Sequence, residues 1–232
     1  MRKKDMFFCF SPPIMLATMI LETTMFIYTV VRYKLNPTTR IIAAILILLA
    51  TFQLSEFNVC GNHQAAAFMH IGFVAITLLP ALGLHLIYRI AKKKNLPLII
   101  TTYAASIIFA LALGLQNSAF LARVCGGNYS IFTLAHGVGG LYFAYYYLLL
   151  IGGILLSLYF AHSSSKKIRK ALLFQVFGYL TFLLPTGIVN SINPKTINAI
   201  PSIMCGFAVI YAVILVTVIL PTVALKNKNS LK

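Results

Sequence analysis

A chain of 232 residues that is 60% hydrophobic and 9% charged lies far from a soluble domain, in which about a quarter of the residues carry charge. Nineteen Lys and Arg against three Asp and Glu leave a formal charge of +16, yet the cations sit between long apolar runs and not on a wettable face, which excludes nucleic acid as a partner and reads as charge that orients loops at a bilayer. Each crossing takes about 20 apolar residues, so the chain has room for roughly six to eight spans and for no soluble kinase, nuclease or ATP-binding domain.

Apolar runs between breakers predict seven spans, near 12–31, 40–58, 65–88, 97–116, 136–161, 170–190 and 199–224. The breaks are Asn36-Pro37, Gly61-Asn62, Asn95-Leu96-Pro97, Cys125-Gly126-Gly127-Asn128, Ser163-Ser164-Ser165 and Asn193-Pro194. The expected fold is an all-α, polytopic membrane helix bundle, one membrane domain over 1–232, with short connections that make neighbouring helices antiparallel. The first span runs into Arg32-Tyr33-Lys34 with no small-residue cleavage site, so it is read as retained and not as a signal peptide. No duplication suggests an inverted-repeat transporter.

Placing the first connection in the cytoplasm gathers Arg32, Lys34, Arg40, Arg89, Lys92 to Lys94, Lys166, Lys167, Arg169, Lys170, Lys226, Lys228 and Lys232 inside. It leaves Arg2, Lys3, Lys4, Arg123 and Lys195 outside. That bias predicts an external N-terminus and a cytoplasmic C-terminus. With no Trp in the chain, Tyr33, Tyr88, Tyr129 and Tyr159 are the expected interfacial anchors. Pro80, Pro185 and Pro201 should kink or start their spans. Gly137, Gly139, Gly140, Gly152 and Gly153 should let another helix approach the fifth span.

A charge in hydrocarbon costs about 2.5 to 3.5 kcal/mol even on lenient scales, so ionisable residues inside spans are the first candidates for function. Glu22 lies near the middle of the first span among Thr18, Thr23 and Thr24. It reads either as an ion- or proton-handling group of a transport path, or, preferably, as a protonated side chain bonded to a threonine or another helix. Gln53, Glu56 and Cys60 form one stripe at three- and four-residue spacing near the outer end of the second span. His70 lies just inside the third span and His136 opens the fifth. With Cys9, His63 and Cys125 these residues gather at one level of the membrane. Gln53, Glu56, His70 and His136 are therefore the expected ligand-binding residues, and Glu56, His70 and His136 the expected ligands of a transition metal such as zinc. The other reading of the same residues is a Cys60–Cys125 disulfide with the carboxyl and the histidines satisfying one another. On helix directions and a short second connection, Glu56 is expected within reach of His70 or His136. Cys205 reads as packing.

The motifs Cys9-Phe10-Ser11, Gln53-x-x-Glu56 and Met69-His70-Ile71, followed by Cys125 and His136-Gly137, resemble small uncharacterised bacterial multi-span proteins that begin Met-Cys-Phe-Ser or Met-Cys-Trp-Ser. The stretch 36–90, with Asn36-Pro37-Thr38-Thr39-Arg40 and Leu79-Pro80, is similar to the seven-span sensor region of bacterial histidine kinases. These resemblances imply a multi-pass protein of a cell membrane, there the bacterial inner membrane.

The leading functional expectation is an integral membrane sensor or binding protein with an outward-facing polar pocket for a small molecule or ion, receptor-like, signalling to a cytoplasmic output protein. A membrane-embedded metal-dependent hydrolase, with Glu56 as base, is the alternative from the enzyme class and the less favoured one. A small transporter or channel using Glu22 is the third. No lysine lies in the core of the last span, so no retinal Schiff base is available there.

Overall fold

The computed structural model describes residues 12–61, 65–115, 120–125, 130–134 and 138–224. The side chains at 12, 60, 61, 65, 66, 120–125, 130–134 and 138 are outside that description. The chain forms α1 (Pro12–Arg32), α2 (Pro37–Gly61), α3 (Ala65–Ala91), α4 (Leu96–Leu115), β1 (Phe120–Cys125), β2 (Ser130–Leu134), α5 (Val138–His162) and α6 (Lys166–Ile192). A 3-10 segment (Pro194–Ala199), α7 (Ile200–Ile214), a π turn (Leu215–Ile219) and α8 (Leu220–Val223) then complete one last span. Seven helical segments are long and apolar enough to cross a membrane, at the places the apolar runs predict. The protein is a multi-pass, seven-helix membrane bundle.

The residues that mark the breaks also start the helices. Asn36 accepts from the Thr39 N–H at 2.9 Å, and Asn95 from the Leu98 N–H at 3.2 Å. Each satisfies a donor that the first turn leaves orphaned, while Pro37 and Pro97 lose nothing at positions where no helical bond is made. Asn193 caps the 3-10 segment in the same way through the Lys195 N–H. Helix α3 stops without glycine. Lys92 takes a left-handed φ of 55°, which lets the Lys93 N–H reach the Tyr88 carbonyl at 3.0 Å.

Burial divides the helices. In α2, α3 and the last span 61%, 67% and 67% of the apolar window is buried, against 28% in α1 and 17% in α4. The central helices therefore build the core, and the outer ones present Ile20, Ile108, Leu148 and Ile188 to lipid. Tyr159 is exposed as an anchor should be, but Tyr33 and Tyr88 turn into the core. Tyr88 meets Phe160 edge-on at 5.3 Å, because ring packing between helices competes with interfacial placement.

Pro80 and Pro185 lie inside α3 and α6, and Pro201 lies in the first turn of α7. In α5 Gly153 makes a close approach, since a Cβ there would stand 2.9 Å from the Tyr179 ring, and Gly137 lies outside the described residues. At Gly140 and Gly152 a Cβ would meet nothing within 4 Å. The tighter approaches are at Gly83, where a Cβ would overlap the Tyr179 hydroxyl, and at Gly178, where it would overlap the Tyr211 ring.

One element departs from helix. The fourth connection carries an antiparallel hairpin in which Phe120 pairs with Leu134 and Cys125 with Ser130. Its strands hold Phe, Val and Ile around the Gly126-Gly127-Asn128 stretch, a composition that favours pairing over helix. Strand β2 touches α2, α5 and the 3-10 segment, so the hairpin sits at the bundle end where α2 finishes.

Candidate functional site

Buried polar side chains are carried on α1, α2 and α7. Glu22 and Glu56 are 0% and 2% exposed, and Gln53 is equally enclosed. Gln53 and Glu56 share one face of α2 by their three-residue spacing. The Ser202 side chain of α7 lies beside the Glu56 carboxyl. One turn along α7, the Cys205 thiol is buried and free, within electrostatic reach of both the Glu56 and the Glu22 carboxyls. One side chain of α7 thus sees the acidic groups of two other helices.

The cluster's polar atoms are poorly matched. Among the described residues, both Glu22 oxygens, Glu56 Oε1 and Gln53 Nε2 are buried without a hydrogen-bond partner. Two of the three threonines expected around Glu22 spend their hydroxyls on the backbone of their own helix. Thr18 donates to Ile14 and Met15, and Thr24 to Ile20. This is a local competition that short hydroxyl side chains win inside helices. A buried polar group left unmade costs about 1–3 kcal/mol, and the cluster holds several.

His70 turns to another helix. Its half-buried ring donates from Nδ1 to the Leu113 carbonyl at 2.5 Å. Leu113 lies in the last turn of α4, where carbonyls lack helical partners, so the histidine closes that helix end. The structure thus ties Glu56 to α7 and His70 to α4. Among the described residues no group of three His, Cys, Asp or Glu side chains is placed to hold a metal ion. His63 and His136 lie outside the described residues, as do Cys9 and the side chains of Cys60 and Cys125, so the Glu56–His136 contact and the disulfide fall there too.

Two further polar groups in the core were not legible as partners in the sequence. Between α3, α4 and α5, Tyr145 donates to the Thr77 carbonyl at 2.8 Å and bonds Ser106 at 2.6 Å, while the Thr77 hydroxyl meets the Tyr142 hydroxyl at 3.2 Å. The accepting carbonyl lies three residues before Pro80, where the ring disturbs the helical ladder. Between α6 and α7, Gln175 Nε2 donates to the Tyr211 hydroxyl at 2.6 Å, one turn along α6 from Tyr179. The Tyr142-x-x-Tyr145 and Gln175-x-x-x-Tyr179 spacings were the available signals, since each puts both groups on one helix face.

The sequence matches no protein-family model, and no curated protein matches it. The function is therefore argued from the cluster itself.

Proposed function

We propose that the protein is an integral membrane binding protein, acting as a sensor, whose ligand is held inside the bundle by Glu22, Gln53 and Glu56, with Ser202 and Cys205 on α7. The observation that carries this reading is the set of unpartnered buried carboxyl oxygens on Glu22 and Glu56. A membrane core tolerates such groups where a functional partner repays their burial. Acceptor oxygens call for a ligand that brings positive charge or hydrogen-bond donors. Its binding would draw α1, α2 and α7 together, and a helix shift of that kind can be read by a partner.

The expected orientation belongs to the same proposal. Arg32, Lys34, Arg40, Arg89, Lys92 to Lys94, Lys166, Lys167, Arg169 and Lys170 all lie at the bundle end opposite the hairpin, which supports a cytoplasmic basic end and an external hairpin end. Glu56, five residues before the end of α2, then lies toward the outside. Tag accessibility at the two chain ends in intact cells checks this, and a cytoplasmic N-terminus would overturn it.

Ammonium is the probe for the site. A ligand that binds the folded state stabilises it by about 1.4 kcal/mol at tenfold its Kd, so thermal unfolding of the purified protein in detergent reads binding directly. Ammonium should raise Tm in the wild type and leave Glu56→Gln and Glu22→Gln unmoved. An absent shift, or one that survives both substitutions, rejects the site.

A second reading, a small cation or proton transporter, is favoured by the mid-span position of unpartnered Glu22. Proteoliposomes carrying the protein would then show cation or proton flux above empty vesicles, lost in Glu22→Gln.

A further inference from the structure

The bundle end opposite the hairpin carries charge of one sign. Arg89, Lys92, Lys93 and Lys94 lie at the α3–α4 turn, and Lys166, Lys167, Arg169 and Lys170 at the α5–α6 turn. The acids of the chain are Asp5, Glu22 and Glu56. Glu22 lies about 15 Å up α1 from this end, and Glu56 lies near the far end of α2. Among the described residues no carboxyl side chain therefore answers these cations. The two turns are neighbours. Tyr88, next to Arg89, packs on Phe160, next to the last turn residues of α5, with ring centroids 5.3 Å apart, and α3 packs on both α5 and α6.

Orientation in a bilayer asks only for an excess of cations on one side, and two local features go beyond that. Helix α6 opens on Lys166, Lys167, Arg169 and Lys170 with no acid in its first turn and no capping bond from the Ser165 side chain, although the positive end of a helix dipole repels cations. Lys92 takes a left-handed φ of 55°, a conformation that glycine adopts freely and a lysine adopts at a cost. Cations kept where the local field and the backbone oppose them call for anions from outside the chain.

The surface beside the cations says what brings those anions. On α6, Lys166 and Lys170 continue at helical spacing into Leu173, Phe177, Leu184 and Ile188, all exposed. A free anion would use the cations and leave this apolar stripe as it is. An acidic soluble protein would meet the charges but not the stripe, which faces hydrocarbon. A phospholipid of net negative charge uses both, its phosphate among the lysines and its acyl chains along the helix.

We propose that the α3–α4 and α5–α6 turns together form a binding site for an anionic phospholipid, its phosphate held by Lys92, Lys93, Lys94, Lys166 and Lys170 and its acyl chains laid along the exposed face of α6. The site is separate from the carboxyl cluster and does not depend on what that cluster binds.

The test is thermal unfolding of the purified full chain in an uncharged detergent, with phosphatidylglycerol or phosphatidylcholine added at equal mole fraction. Phosphatidylglycerol should raise Tm, and phosphatidylcholine should not. Each lysine near an anionic membrane surface is worth about a fivefold change in affinity. Lys166→Gln with Lys170→Gln should therefore raise the phosphatidylglycerol fraction needed for a given shift by more than about tenfold. Lys93→Gln with Lys94→Gln should do the same from the other turn. All four side chains are exposed, so their loss leaves the core untouched. Lys195→Gln, an exposed cation at the hairpin end, should leave the response where it is. Inorganic phosphate and polyglutamate at matched ionic strength should give no shift. Equal responses to the two lipids, or a loss in Lys195→Gln as large as in the pairs, would reduce the effect to general lipid contact or net charge and overturn the site. Either pair without effect would overturn the joining of the two turns. A shift that phosphate reproduces would overturn the lipid as ligand, and one that polyglutamate reproduces would put an acidic protein surface in its place.

Discussion

The tyrosine network between α3, α4 and α5 and the carboxyl cluster between α1, α2 and α7 both put polar groups inside the bundle, yet they treat burial in opposite ways. Tyr145 finds both a carbonyl and a hydroxyl, and Thr77 serves Tyr142 while bonding its own helix. Every group in that network that meets another also holds the helices in register, and each bond is worth about 1 kcal/mol. Glu22 and Glu56 hold three unpartnered oxygens between them and subtract from stability. Satisfied polarity in a membrane core reads as architecture. Unsatisfied polarity of the same depth reads as a place kept for something else.

Substitutions on the two sides should therefore move stability in opposite directions. The largest effect is expected apart from both, at Gly83, where α3 approaches α6. A Cβ there would overlap the Tyr179 hydroxyl, so Gly83→Ala should cost about 3 kcal/mol by overpacking. The double variant Gly83→Ala with Tyr179→Phe should recover part of that loss in detergent unfolding. On the carboxyl side the sign reverses. Glu22→Leu replaces two orphaned acceptors with apolar volume and should raise stability by about 2 kcal/mol, with the ammonium response lost. A drop in Tm would show that Glu22 is a structural group after all. Tyr145→Phe should lower stability by about 1 kcal/mol and leave the ammonium response in place, which separates the two regions by function as well as by sign. The smallest change belongs to Gly140, where a Cβ would meet nothing within 4 Å. Gly140→Ala should gain about 0.5 kcal/mol through the unfolded chain alone.

Much of the architecture was legible because the signals are local. Spans follow from apolar length, and caps follow from Asn and Pro at fixed positions, as at Asn36-Pro37 and Asn193-Pro194. The enclosure of Glu56 was legible too, since a carboxyl facing lipid is too costly to keep. Side-chain partners were less legible: Glu56 was expected within reach of His70 or His136, and His136 lies outside the described residues. His70 and Glu56 lie on consecutive helices near their shared end, and depth does not fix which way each faces. Rotation about each helix axis sends one to α4 and the other to α7, and rotation is settled by all neighbours together. Cys205 packs in the core beside Phe52 and Tyr142, as its apolar surroundings in the chain led one to expect. The hairpin was missed for a related reason. Cys125-Gly126-Gly127-Asn128 was visible as a break, but the six and five residues on either side are too short for a pattern to be told from a loop.

The last span carries an irregularity with its own bearing on the site. At its π turn the Leu220 N–H reaches back five residues to Leu215, and Pro221 follows where an N–H to the Thr217 carbonyl would otherwise be needed. A π turn stores one residue more than the surrounding helix, and each α-helical residue advances the side chains by about 100°. The two parts of this span are therefore phased independently, and a single helical wheel drawn through it mixes two faces. The part before the turn aims Ser202 and Cys205 at the carboxyls, while the part after it packs Leu220 into the core. Deleting one residue within Leu215–Ile219 would merge the two phases and swing one end of the span against the other by that same angle, so the stored residue acts as the spacer that lets one helix answer to two sets of neighbours.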